Sequence, residues 1–290
     1  MTDPDERELL SGRLAAAGVP SPAADARWLL DHGREHHLTV GQLESLVARR
    51  LQREPLQLIL GEAWFRHVRL SCRPGVFVPR PETEVVAGVA IALAGVSGAV
   101  PRVVEPCTGT GAITCALVTE VDGVEVIATD SSEAAVALAR LNIGAALAGE
   151  LGHPLATAAT ATVVQCHLLD AVASAWRGTV DVLVANPPYL PASDRGSWEP
   201  EVAAHDPDAA LVAGPDGHEV VDDLLRLAIT WLRPGGAIVV EIDDRRGEQA
   251  LVSARRAGLV GPRLVADLTG RDRAVVAHRP GSAIPSARSR

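Results

Sequence analysis

Apolar residues in the first sixty positions recur three and four apart: Leu9, Leu10 and Leu14, then Ala24, Trp28 and Leu29, then Leu43, Leu46, Val47 and Leu51. That spacing puts each set on one stripe of a helix. Ser21-Pro22 marks one start, with a hydroxyl at the cap and a proline in the first turn. Residues 1–60 therefore read as a small helical domain. Between 63 and 78 the alternation shortens towards two, with Arg73-Pro74-Gly75 as the turn, so 61–84 read as a β-hairpin linker.

From about residue 85 helix and strand patterns alternate. Short β-rich runs at 102–104, 124–129, 162–165, 180–185 and 237–242 are separated by helical stretches such as 132–148 and 219–232. This rhythm predicts an α/β fold over 85–280, with a doubly wound, mostly parallel sheet. The last two runs, 263–267 and 274–278, are joined by six residues, too few for a parallel crossover, and should pair antiparallel at the sheet edge. Seven strands result from this count. Residues 149–162, rich in Gly, Ala and Thr, read as a surface loop, and 281–290 as a disordered tail.

Composition narrows the function. A chain of 290 residues with 47% hydrophobic content has ample apolar surface for a packed core. It contains no apolar run of roughly 18 residues, and its opening MTDPDERELL is acidic, so we expect a cytoplasmic protein without membrane attachment. Cys72, Cys107, Cys115 and Cys166 show no paired spacing, so neither a metal site nor a disulfide framework is expected. Every one of the 27 basic residues is arginine, yet the net charge is −9. No basic block stands out, and nucleic-acid affinity rests mainly on phosphate neutralisation; stable nucleic-acid binding is not expected.

Candidate chemistry sits at the ends of the predicted strands. Glu105-Pro106-Cys107-Thr108-Gly109-Thr110-Gly111 follows the first strand of the α/β region and opens a helix, a place where backbone can approach a ligand closely. A dinucleotide site would show G-x-G-x-x-G, which this turn lacks. The second strand ends in Asp130, suited to accept hydrogen bonds from both ribose hydroxyls, or else to cap the helix that begins near Ser132. Glu105 would repel a pyrophosphate but could hold an ammonium. An adenosine ligand with an amino-acid end is S-adenosylmethionine. A third element, Val184-Ala185-Asn186-Pro187-Pro188-Tyr189, ends an apolar strand in an amide, two prolines and an aromatic ring.

This array resembles class I methyltransferases, whose sheet is Rossmann-like. From Glu54 onward the chain is similar to the release-factor glutamine methyltransferase family. The resemblance runs through 53–62, the proline-rich Phe77-Val78-Pro79-Arg80-Pro81-Glu82-Thr83-Glu84, the Asn-Pro-Pro-Tyr stretch, the segment from His205-Asp206-Pro207 to Gly214-Pro215-Asp216-Gly217, and Gly270-Arg271-Asp272-Arg273. It implies S-adenosylmethionine as cofactor, held by Glu105, Cys107, Thr108, Gly109, Thr110, Gly111, Asp130, His167, Leu168 and Asn186. It implies a peptide-chain release factor as protein partner, met by the helical domain, with Arg80 and Glu82 or Glu84 near the substrate entrance. The family usually has glycine where Cys107 stands and an acidic residue near the adenine where this chain has His167, with Asp170 three residues on.

An amide nitrogen is a poor nucleophile because its lone pair is delocalised into the carbonyl. Methylating it requires holding both N–H bonds on acceptors, and the expected acceptors are the Asn186 side-chain oxygen and the Pro187 carbonyl. Pro187 and Pro188 stiffen the turn and offer no competing donor, while Tyr189 confines the planar group. The catalytic set is thus Asn186, Pro187 and Tyr189, with Pro188 beside them against substrate. The same motif suits the exocyclic amine of adenine, so an N6 methyltransferase on nucleic acid is the alternative enzyme. A non-catalytic binding protein that keeps the fold is the third reading.

Overall fold

The computed structural model describes residues 3–97, 100–152 and 156–281. The tail expected over 281–290 lies outside the described residues except for Gly281.

The chain opens with α1 (Asp3–Ala16), α2 (Pro22–Glu35), α3 (Val40–Leu51) and the short α4 (Leu56–Leu60). Leu10, Leu14, Leu29, Leu30 and Val47 form their shared core, whereas Leu9 and Trp28 lie on the outer side of the stripe, 57% and 37% exposed. Ser21 does stand at the cap of α2 with Pro22 behind it, but its side chain makes no capping bond. A reciprocal cap forms instead at α3, where Thr39 Oγ1 accepts from the Gln42 amide at 3.3 Å and the Gln42 side chain accepts from the Thr39 amide at 2.8 Å.

Strand β1 (Glu62–Phe65) pairs antiparallel with β2 (Val68–Ser71). The tight turn is Arg66-His67, with Arg66 at φ 51, and not the expected Arg73-Pro74-Gly75. Burial explains the shift: Phe65 and Val68 face each other across the turn and both are buried, which sets the register. Arg66 then ties the turn down, its guanidinium on Glu120 at 2.6 Å and its amide on Glu84 Oε1 at 3.1 Å.

The remaining elements are α5 (Thr83–Gly95), β3 (Arg102–Pro106), α6 (Ala112–Glu120), β4 (Glu125–Asp130), α7 (Glu133–Leu147), β5 (Thr160–Gln165), β6 (Val180–Ala185), β7 (Leu190–Pro191), α8 (Pro200–His205), α9 (Asp208–Leu211), β8 (Val212–Gly214), α10 (Glu219–Trp231), β9 (Leu232–Glu241), α11 (Gly247–Arg256), β10 (Val260–Ala266) and β11 (Asp272–His278). Seven strands form the main sheet in the order β10-β11-β9-β6-β3-β4-β5. The pair β10 and β11 is antiparallel and at the edge as expected, and β11 also runs antiparallel to β9, so it is inserted between β10 and the parallel strands. Both faces are covered. Val103, Val182, Val184, Val239 and Val276 pack under α5, α6 and α7, while Val104, Leu183, Val240, Val275 and Ala277 alternate onto the face under α10 and α11.

The stretch 149–162 is not simply a surface loop. Leu151, Ala156 and Ala159 are buried in the core, and β5 already begins at Thr160. An ion-pair clamp joins the N-terminal helices to the α/β part: Glu201 of α8 receives Arg53 at 2.6 and 2.7 Å and Arg50 at 3.1 Å, while Arg50 also holds Asp25 at 2.7 Å. Arg50 is only 5% exposed. From β3 the chain moves outward through β4 to β5, then returns to the other side of β3 with β6. That reversal makes a crevice at the carboxyl ends of β3 and β6, where ligands bind in open α/β sheets.

Candidate active site

A cavity of about 420 Å³ opens at this crevice, within the roughly 300–1,000 Å³ of small-molecule sites. Its wall includes Glu105 near the end of β3, Cys107, Thr108, Gly109 and Thr110 from the turn after it, and Asp130 at the end of β4. His167 and Leu168 follow β5, and Asn186, Pro187, Pro188 and Tyr189 follow β6. The sequence-selected residues therefore converge, with four exceptions, one being Glu84, which faces the β1–β2 turn and accepts from the Arg66 amide instead. Gly111 stands behind the wall as the cap residue of α6, at φ +82, where a Cβ would lie 3.1–3.3 Å from Ile143 and Ala139. Arg80 stacks on Phe77 at 4.9 Å and pairs with Asp206, and it is Phe77 that meets the cavity. Glu82 precedes α5 and also lies off the wall.

One end of the cavity is built by backbone. Cys107 has φ 59 and Gly109 φ 56, the left-handed region that costs a residue with a Cβ about 1–2 kcal/mol. Burial, then the neighbouring Asp130 and Glu105, push the Cys107 thiol far above its ordinary value, so it is an inert neutral group. Asp130 Oδ2 accepts from the Gly109 amide and Oδ1 from the Ser132 amide, both at 2.9 Å. Ser132, not Asp130, caps α7, its side chain accepting from Ala135. Each Asp130 oxygen keeps a second lone pair for a ligand. Glu105 is 1% exposed, held by the Thr114 amide at 3.0 Å and the Thr114 hydroxyl, and burial pushes its carboxyl up to about 8. Thr108 Oγ1 is buried without a hydrogen-bond partner.

That donor set fits S-adenosylmethionine. It offers one buried carboxyl for an ammonium, one carboxylate for a ribose and the Thr108 hydroxyl beside Glu105. On the third side His167 lines the cavity, whereas Asp170 is 79% exposed in its side chain and 4.0 Å from the imidazole.

The other end is built by side chains. Asn186 donates through Nδ2 to Thr83 Oγ1 at 3.1 Å, which leaves its carbonyl oxygen as the acceptor for the cavity. The Tyr189 hydroxyl donates to Glu241 Oε1 at 3.2 Å, and burial raises it well above the ordinary phenol value. Glu241 ends β9 and is 1% exposed. Its Oε2 has no hydrogen-bond partner, and burial pushes the carboxyl up to about 7 against the pull of the nearby Thr83 hydroxyl and Arg273. Asp206, its side chain fully buried, receives the Val78 amide at 3.4 Å and the Arg80 guanidinium, and is held above the usual carboxylate range by burial. Sequence reading missed Thr83 and Glu241. The available signal for Glu241 was a lone acid closing the apolar run Ala237-Ile238-Val239-Val240.

Sheet order, a turn rich in left-handed residues after β3, an acid ending β4 and Asn-Pro-Pro-Tyr after β6 together define a class I methyltransferase. The chain is 40% identical over 293 residues, 95% of its own length and 99% of the relative's, to the release factor glutamine methyltransferase of Deinococcus radiodurans. It is 41% identical over 249 residues, 82% of this chain and 83% of the relative, to the enzyme of that name from Streptomyces coelicolor. This chain belongs to the release factor glutamine methyltransferase family. A 36% likeness over 249 residues, 80% of each chain, extends to the 4-amino-L-phenylalanine/4-methylamino-L-phenylalanine methyltransferase of Streptomyces pristinaespiralis. No family model matches the chain.

Proposed function

We propose that this protein transfers a methyl group from S-adenosylmethionine to the side-chain amide nitrogen of a glutamine in a peptide-chain release factor, at its Gly-Gly-Gln motif. The observation that carries the reading is the Asn186 amide, turned by Thr83 so that its oxygen meets the cavity. When bound, the cofactor supplies an electrophilic methyl on a sulfonium. Glu105 holds its ammonium, Asp130 its ribose hydroxyls, and His167 and Leu168 border the adenine. Asn186 Oδ1 and the Pro187 carbonyl accept the two N–H bonds of the substrate amide and orient its nitrogen for in-line attack. Pro188 keeps the turn stiff, and Tyr189 closes one side over the planar group. Arg80 acts through Asp206 and Phe77, shaping the entrance. The N-terminal helices recognise the folded partner, and the Glu201 clamp fixes them to α8, which leads into the 207–211 segment on the cavity wall.

The reading assigns no role to a membrane, and among the described residues no helix is long and apolar enough to cross one. An enzyme that modifies a release factor would act in the cytoplasm. The deciding experiment offers the purified protein labelled cofactor together with a release factor, duplex DNA and 4-aminophenylalanine, and maps the label by mass spectrometry. Methyl on the Gly-Gly-Gln glutamine is expected. Label confined to DNA or to the free arylamine overturns the assignment.

A further inference from the structure

Asn186 and Tyr189 come from one short turn, yet both lead to a single carboxylate from another part of the chain. Tyr189 reaches Glu241 Oε1 directly at 3.2 Å. Asn186 reaches it through Thr83, whose Oγ1 accepts the Asn186 amide nitrogen at 3.1 Å and whose hydroxyl neighbours the carboxylate. A hydroxyl carries one proton and two acceptor lone pairs. For Thr83 Oγ1 to accept from Asn186, its own proton must point elsewhere, and the neighbouring buried Oε2 of Glu241, which has no hydrogen-bond partner, is there to receive it.

Building on the proposed amide methylation, we infer that Glu241 is a positioning residue that sets the direction of the hydrogen bonds behind the substrate amide. Ionised Glu241 accepts a hydrogen bond from the Thr83 hydroxyl, Thr83 Oγ1 in turn accepts from Asn186 Nδ2, and the Asn186 oxygen is the end presented to the substrate N–H. A proton on Glu241 Oε2 turns that oxygen from an acceptor into a donor towards Thr83 Oγ1. Thr83 can then donate to Asn186 Oδ1, the amide turns over, and its NH2 faces a substrate nitrogen that has only N–H bonds to offer. The two ends of an asparagine amide are nearly the same shape, so packing alone does not choose between them, whereas hydrogen-bond polarity does.

The groups facing Glu241 are consistent with this role. From β11 comes Arg273, which pairs with Asp267 at 3.0 Å and keeps a buried Nε with no partner. Thr83 and the carboxylate of Glu82 come from the start of α5, and Tyr189, itself near Arg80, comes from the turn after β6. Arg273 favours the ionised carboxylate and Glu82 opposes it, while burial pushes Glu241 up to about 7. The orientation is therefore complete above that value and lost as pH falls through it.

The test uses Glu241→Gln and, in case that variant folds poorly, Thr83→Val with Thr83→Ser as its conservative partner. Turnover on whichever acceptor the wild type methylates should fall roughly 10- to 100-fold in Glu241→Gln and Thr83→Val, the worth of a hydrogen bond to a charged group, with cofactor affinity by titration calorimetry unchanged and Thr83→Ser near wild type. The double variant should be no worse than the single ones, because the two residues act as one unit. Wild-type kcat should drop on the acid side with an apparent pKa near 7, and Glu241→Gln should lack that limb. Tyr189 is the only tyrosine, so phenolate absorbance of the cofactor-free protein reports on it alone, and its titration should move down in Glu241→Gln. Kcat within twofold of wild type in both variants, or an unmoved phenolate titration, overturns the inference. A wild type that leaves release factors unmodified counts against the substrate assignment and not against this one.

Discussion

The two ends of the cavity are built by different physics. The end assigned to the cofactor is a set of turns in which backbone conformation does the work: Cys107, Gly109, Gly111 and Leu168 all have positive φ, and the amides of Gly109 and Ser132 hold Asp130. The end assigned to the substrate amide is assembled from side chains of distant segments, Thr83, Asn186, Tyr189, Glu241 and Arg273, most of them buried and ionisable or hydrogen-bonded to an ionisable group. A turn can be specified by a few neighbouring residues. A buried polar network needs the whole sheet to bring its members together, and it pays a desolvation cost that only mutual satisfaction offsets.

The largest expected effect separates the ends. Asn186→Ala should lower kcat by about 100-fold or more while cofactor affinity stays within a few-fold, since it removes an acceptor that works at the reacting nitrogen. Near-normal turnover in this variant would refute the amide-orienting role. Asp130→Ala should do the reverse, weakening cofactor binding by roughly 10- to 100-fold, the worth of hydrogen bonds to a charged acceptor at about 1.5–3 kcal/mol. If titration calorimetry found the affinity unchanged, the ribose assignment would be wrong, and the two ends would not be separable in this way.

A smaller effect is expected further out. Glu201→Ala removes the carboxylate that Arg50 and Arg53 share, and should slow methylation of an intact release factor several-fold more than that of a short Gly-Gly-Gln peptide. Equal losses on both substrates would mean that the clamp serves stability alone.

Both ends hold a carboxyl raised by burial, Glu105 and Glu241. A carboxyl raised in the folded state binds its proton more tightly folded than unfolded, so it subtracts stability as pH rises from the ordinary glutamate value of about 4.3. For Glu105 that loss continues up to about 8. His218, a buried imidazole held below its ordinary value chiefly by burial, acts in the opposite sense in the acidic part of the range. The clean readout is therefore a difference: the melting temperature of cofactor-free wild type should fall relative to Glu105→Gln between pH of about 5.5 and 8.5. Parallel curves would show that Glu105 is not protonated in the empty site. The smallest effect belongs to Cys107→Gly, where relief at φ 59 is opposed by lost packing of the sulfur and by chain entropy. Its stability should change by less than about 1 kcal/mol in chemical denaturation, and a larger loss would assign Cys107 a packing role instead.

The difference between the ends also explains what could be read in advance. Glu105 to Gly111 and Asp130 stand out along the chain because strand, turn and helix follow one another within a few residues and the chemistry is local. Asn186 to Tyr189 could be recognised for the same reason. Arg73-Pro74-Gly75 looked like the hairpin turn, but the buried pair Phe65 and Val68 set the register and moved the turn to Arg66-His67. The stretch 149–162 looked like surface by composition, yet Leu151, Ala156 and Ala159 fill space beside α6 and β5 that local pattern does not reveal.

Periodicity and turn chemistry by themselves determined the helical start, the alternating α/β order, the antiparallel pair at the end and the turns that line the cavity, because each depends on residues close in the chain. Only the tertiary structure decided that Thr83 and Glu241 stand behind Asn186 and Tyr189, and that Glu201 and Asp206 link the helices and Arg80 to the entrance. Those contacts cross 52 positions between Tyr189 and Glu241, 103 between Thr83 and Asn186 and 148 between Arg53 and Glu201. No local pattern encodes such a meeting. It exists because β6 and β9 are neighbours in the sheet and the start of α5 lies across their carboxyl ends, a packing that buries the charges close enough to need one another.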